Sequence, residues 1–242
     1  MENHTNLIID IGNTRIKTGW FEGNQLRNVS YYSSLDKLPS DKTPDRIMIS
    51  NVSSISLDHL PDALKKCPAH YFDRSTSLPV KINYKTPETL GLDRIAGVVG
   101  ASYEYPQENC LIIDMGSCIN YDLITADNEF AGGIISPGFR MRLRSMHHFT
   151  GHLPDLSESW EEIELLKIGK STRECMLKGA YDGILREIRS FVSDYKEEYG
   201  QLSVILTGGD ASIFETRIKA PIFVHPNLVL IGLNRILQYN EA

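Results

Sequence analysis

One short block occurs twice in this chain. Leu7-Ile8-Ile9-Asp10-Ile11-Gly12 returns 104 residues on as Leu111-Ile112-Ile113-Asp114-Met115-Gly116, with five of the six positions identical. Solenoid repeats run about 20–50 residues, so a period of this length points instead to two similar lobes. Each copy reads as a buried strand that carries a carboxylate to its end, followed by a glycine-containing turn. The glycine lets the backbone approach a ligand closely. The turn offers bare N–H groups to a phosphate, and in the first copy the side chains of Asn13 and Thr14 as well, with Lys17 nearby. The same offset sets Asn24 on Asn128. Each half is therefore expected to run strand, turn, strand, turn, strand, the first at 7–11, 15–22 and 25–32. Two acid-bearing turns facing each other across a cleft make a nucleotide site.

The intervening sequence fills out the same plan. Arg46–Val52 reads as a parallel strand, Asp58–Cys67 as a short helix capped by Asp58, and His70–Phe72 as a further strand. Strand and helix alternating after a meander predict a mixed sheet with helices on both faces. The small-residue run Ile95–Ala101 predicts a tightly packed helix, which places Asp93 and Arg94 at its start. On the residues alone, Asp93 is either a charge that complements the helix dipole or a catalytic acid. Ser203–Ala211 is a strand ending in Thr207-Gly208-Gly209-Asp210, where paired glycines let the backbone lie against a ligand.

Other segments have plainer explanations. Phe139–Phe149 is a basic helix, expected to be solvated or dimer-facing. His147-His148 lacks a nearby third ligand, so no metal site is expected there. Gly169-Lys170-Ser171-Thr172 lacks the upstream glycine of a P-loop, and Ser171 or Thr172 is the natural cap of a helix reaching about Glu198. A last amphipathic helix, from Asn227 to Tyr239, is expected to pack on the second lobe. The net charge of −6 argues against a general nucleic-acid or anionic-membrane binder. No run of about 18 apolar residues and no signal peptide are found, and the four cysteines show no paired spacing. A cytoplasmic protein with reduced thiols is expected.

Five motifs in order, DIGNTRIK, GLDR at Gly91–Arg94, DMGSCINYD, GGIISPG at Gly132–Gly138 and TGGDA, resemble those of type III pantothenate kinase. That family belongs to the acetate kinase, sugar kinase, Hsp70 and actin superfamily. The resemblance implies an α/β fold of two actin-like, ribonuclease H-like lobes, 1–106 and 107–242, each a mixed five-stranded sheet flanked by helices. It implies transfer of phosphate from ATP to pantothenate, the first step of coenzyme A synthesis, in a homodimer. Asp93 matches the family's general base. Asp10, Ile11, Gly12, Asn13, Thr14, Arg15, Ile16, Lys17 and Ser117 match ATP-binding positions. Tyr84, Gly91, Leu92, Asp93, Arg94 and Thr172 match substrate positions. Asp114 matches the site of a monovalent cation, potassium or ammonium, and Asp10 is placed to hold Mg²⁺ directly or through water.

The second turn departs from the family's DxGTAxTxD. Ser117 keeps a hydroxyl, Cys118 stands for Ala, and Asn120 stands for Thr, which bears on cation affinity. Two other readings compete with a pantothenate kinase: a silent nucleotide-binding regulator of the same fold, and a kinase for another small hydroxy acid. Asp10, Asp93 and Asp114 together favour an enzyme, because a pure binder needs no general base.

Overall fold

The first repeat block forms β1 (Thr5–Ile11), an apolar strand flanked on both sides. β2 (Ile16–Glu22) pairs with it antiparallel and β3 (Gln25–Tyr32) continues the meander. On the other side β4 (Arg46–Asn51) and β5 (Ala69–Tyr71) add in parallel, giving the order β3-β2-β1-β4-β5. Strand alternation sorts β1 into two faces. Leu7, Ile9 and Ile11 join Ile47, Ile49, Leu60 and Leu64 in one core. Asn6, Ile8 and Asp10 point to the opposite face, where their in-register neighbours on β4 are Arg46, Met48 and Ser50.

These elements are seen in a computed structural model that describes residues 4–12, 15–53, 55–159, 168–218 and 222–241. The chain divides into two units: 1–107 with 127–130 and 227–242, and 108–126 with 131–226. In the first unit, α2 (Leu92–Glu104) and α6 (Leu228–Glu241) pack on each other, and α6 also lies against β1 and β4. The small residues expected at Ile95–Ala101 explain that contact. A Cβ on Gly232 would sit 1.8 Å from the carbonyl oxygen of Ala96, and one on Gly100 would sit 2.4 Å from that of Leu228. Asn234 ties α6 to the sheet, accepting from Asn6 Nδ2 at 2.9 Å and donating to the Gly23 carbonyl at 3.0 Å. The last helix thus packs with the N-terminal sequence, not on the second lobe as its place in the chain suggested.

A second correction concerns Asp58–Cys67. Only α1 (Asp62–Lys65) is α-helical there, preceded by a 3-10 turn at Leu57–His59 whose cap is Ser56, not Asp58. Pro61 explains the break, because it removes a backbone donor at that point.

The second unit repeats the plan. β7 (Cys110–Met115) pairs antiparallel with β8 (Cys118–Ile124) and parallel with β10 (Ser203–Thr207), which pairs with β11 (Phe223–Val224). With β9 (Glu129–Pro137) the order is β9-β8-β7-β10-β11, strand for strand that of the first sheet. This sheet has a sixth strand where five were expected: β6 (Lys81–Ile82) pairs with Glu129 and Phe130, the part of β9 that belongs to the first unit. Helices α3 (Phe139–His148), α4 (Thr172–Tyr199) and α5 (Ala211–Phe214) contribute Phe139, Leu143, Ile184, Ile188 and Phe214 to its core.

The duplication is close but not uniform. Gly12 N–H bonds the Arg15 carbonyl and Gly116 N–H bonds the Cys118 carbonyl, each just before the next strand's first in-register partner. The second turn is one residue shorter, so the matched offset falls from 104 to 103 beyond it. The next turns differ too. Gly23 takes φ 58° in a two-residue connection, whereas Asn128 takes φ 57° at the end of a four-residue one, so Asn24 and Asn128 are not conformational equivalents.

Candidate active site

In the first unit, one row of the sheet carries Tyr31, Lys17, Asp10 and Ser50 side by side on β3, β2, β1 and β4. All four face the side on which α6 and α2 pack. The carboxyl of Asp10, half-buried at the strand end, is pushed up to about 6. Loss of solvation is the main cause, repulsion from Asp93 adds to it, and Lys17 pulls the other way. The charge of Asp93 is thus felt at Asp10. Lys17 Nζ lies 5.7 Å from the centre of the Tyr31 ring and the Arg15 guanidinium 4.5 Å from it. That single ring gathers both cations beside the first turn. Ile11 and Ile16 are wholly buried and close the hairpin. Asn13 and Thr14 lie outside the described residues.

Asp93 stands in the first turn of α2, where its Oδ1 accepts the N–H of Arg94 at 2.9 Å. Gly91 makes this posture possible, since a Cβ there would lie 2.4 Å from that oxygen. Leu92 opens the helix. Arg94 turns inward and is 7% exposed, its guanidinium 5.9 Å from the ring of Tyr84 and 5.7 Å from that of Phe130. Tyr84, Gly91, Asp93 and Arg94 are thus assembled around one helix start. Phe130 was not foreseen, because only the β6–β9 pairing brings it to Arg94.

In the second unit the matching row is Asn120, Asp114 and Thr207. The TGGD segment folds over it. Gly208 has φ 94°, and a Cβ there would sit 2.5 Å from Asp114 Oδ1 and 2.3 Å from the Met115 carbonyl, so only glycine fits. Asp210 N–H bonds that same carbonyl. Gly138, the last glycine of GGIISPG, is pressed as closely onto the turn: its N–H bonds the Ser117 carbonyl at 3.0 Å, and a Cβ would meet the Gly116 carbonyl oxygen at 2.2 Å. The Ser117 side chain is left exposed.

Thr172 opens α4 with an exposed side chain. Ser171 Oγ accepts Glu174 N–H and Glu174 accepts Lys170 N–H, so capping accounts for the GKST segment. Among the described residues no group of three or more His, Cys, Asp or Glu could hold a metal, and His147 Nδ1 pairs with the Leu153 carbonyl. All four cysteines are free, and no described helix is long and apolar enough to cross a membrane.

The family described as Type III pantothenate kinase matches residues 6–194. Proteins named type III pantothenate kinase from Cytophaga hutchinsonii and Bacteroides fragilis are 42% and 40% identical. The matches cover 97% and 98% of this chain and 99% of each relative. Among solved structures, the activator of 2-hydroxyisocaproyl-CoA dehydratase from Clostridium difficile with bound ADPNP superposes with a TM-score of 0.54 at 12% identity, covering 98% of this chain and 94% of that one. A ROK family protein from Streptococcus pneumoniae in complex with sucrose gives 0.52 at 13%, covering 98% and 99%. These two share the actin-like fold that the motifs implied. By sequence over nearly its whole length, the chain belongs to the type III pantothenate kinase family.

Proposed function

We propose that this chain transfers the γ-phosphoryl group of ATP to the hydroxyl of pantothenate, the entry step of coenzyme A synthesis. The observation that carries the reading is the interacting pair Asp10 and Asp93, one at the end of a core strand and one at a helix start. Phosphoryl transfer asks a protein mainly for positioning and charge stabilisation. Asp93 is the base: it takes the proton of the acceptor hydroxyl as that oxygen bonds the γ-phosphorus and ADP departs. Arg15, Lys17, the turn amides at Gly12 and the Ser117 hydroxyl hold the phosphate tail. Tyr84, Gly91–Arg94 and Thr172 hold the acceptor.

The donor sets fit the cations that a family of ATP-dependent kinases calls for. Two mutually repelling carboxylates beside a phosphate turn suit Mg²⁺, which Asp10 would hold directly or through water. Mg²⁺ supplies charge neutralisation on the phosphate oxygens. At Asp114 the cross-strand position of Lys17 is taken by neutral Asn120, and Thr207 adds a hydroxyl, an oxygen set that suits potassium or ammonium. We further propose that the protein works as a cytoplasmic homodimer.

The test is ADP release by the purified protein with ATP, Mg²⁺ and K⁺, with and without pantothenate. Pantothenate-dependent release is expected, and Asp93→Asn should abolish it while ATP still binds. A variant that turns over like the parent overturns the base assignment. Release without pantothenate, or with another hydroxy acid only, overturns the substrate.

A further inference from the structure

Ser50 is wholly buried, and its Oγ has no hydrogen-bond partner among the described residues. A buried hydroxyl left unmade costs free energy that an alanine would not. Its place in the sheet suggests what the hydroxyl is for. Ser50 is the in-register parallel neighbour of Asp10, so the two side chains leave the sheet on the same face. Paired strands lie about 4.8 Å apart, within reach of one rotamer change at a serine. Lys17 occupies the corresponding position on the other side of Asp10. The second unit repeats the arrangement, with buried Thr207 beside Asp114 at the matching register. In both units the fourth strand of the duplicated plan sets a hydroxyl in register with the acid, Ser50 with Asp10 and Thr207 with Asp114.

We propose that Ser50 is a positioning residue for Asp10. When nucleotide and divalent cation dock, its hydroxyl turns to donate a hydrogen bond to the Asp10 carboxylate, fixing the oxygen that faces the cation. The inference rests on the phosphotransferase reading above. It accounts for a buried hydroxyl with no hydrogen-bond partner among the described residues. A serine kept only for its size predicts a different outcome.

The experiment compares the full chain with Ser50→Ala, Ser50→Cys and Ser50→Thr. Two quantities are read: thermal unfolding without ligand, and the Mg²⁺ concentration that half-saturates binding of a non-hydrolysable ATP analogue by calorimetry. Ser50→Ala is expected to melt at or above the parent temperature and to need about tenfold more Mg²⁺, the size of a hydrogen bond to a charged group. Ser50→Thr keeps the donor and should restore the Mg²⁺ requirement. Ser50→Cys matches the size with a weak donor and should behave as Ser50→Ala. A parent-like Mg²⁺ requirement in Ser50→Ala or in Ser50→Cys overturns the inference. Failure of the parent itself to bind the analogue with Mg²⁺ overturns the phosphotransferase reading instead, and the two failures are told apart by that control.

Discussion

Asp10 is expensive to keep. Its carboxyl is raised from 3.8 to about 6, chiefly by burial and then by Asp93. Between those values the folded state holds the proton more tightly than the unfolded chain does. The stability is therefore present below about pH 3.8 and lost as pH rises through about 6. Above that, an ionised Asp10 costs the ligand-free protein on the order of 1–3 kcal/mol, the lower end allowing for its partial exposure. Asp10→Asn removes the charge while keeping the shape. It should raise the melting temperature at pH 7.5 by a few degrees. The gain should shrink to a small fraction as pH falls to 4, while Mg²⁺-dependent nucleotide binding is lost throughout. A melting temperature at pH 7.5 equal to or below the parent's would show that the site holds no such strain. Trading stability for a poised charge is common at active sites. Gly91 is part of the same economy: it surrenders a side chain so that the Asp93 carboxylate can fold back onto its own helix start.

Packing at the level of elements decides where Asp93 stands. α2 carries it, and α2 is held by α6 through backbone contact closer than any side chain permits. Gly232→Ala places a methyl on the Ala96 carbonyl and forces the two helices apart. A loss of at least about 2 kcal/mol is expected, read as a lower denaturant midpoint with an unchanged slope. Turnover should fall with it, because the first turn of α2 moves. An unchanged midpoint would mean that the helices do not meet this closely. The elements also show what sequence can and cannot reveal. β1 and β7 were legible because an apolar run, an acid and a glycine recur verbatim. The expected strands and the two long helices, α2 and α4, fall within a few residues of their bounds for similar reasons. The partner of α6 was not legible, since periodicity says that a helix has an apolar face but not which sheet receives it. Ser50 and Phe130 escaped notice because strand register, a non-local property, gives them their neighbours. The shortened second turn also hid the fact that Asn120 stands where Lys17 does.

At the scale of the molecule, the first unit is discontinuous: its sheet is built from the start of the chain and covered by the end of it. Leu230, Leu233, Ile236 and Leu237 of α6 are wholly buried. Each such side chain is worth about 1.5–3 kcal/mol of burial, so together they match the 5–15 kcal/mol net stability typical of a domain. The Asn6–Asn234 hydrogen bond adds a buried polar tie between the sheet and α6. Among the described residues, the cluster on one face of the second sheet, from Leu111 to Ile218, takes no residue from α6. Truncation after Pro226 should therefore act unevenly. Amides of β1 and β4 should exchange with solvent deuterium at rates near those of an unfolded chain. Those of β7 and β10 should keep most of their protection. ATP-dependent turnover should vanish, because the strand that bears Asp10 and the helix that bears Asp93 lose the surface on which both rest. Protection of β1 amides in the truncated protein would show that the N-terminal sheet stands without its last helix. Uniform loss in both units would show that they unfold as one.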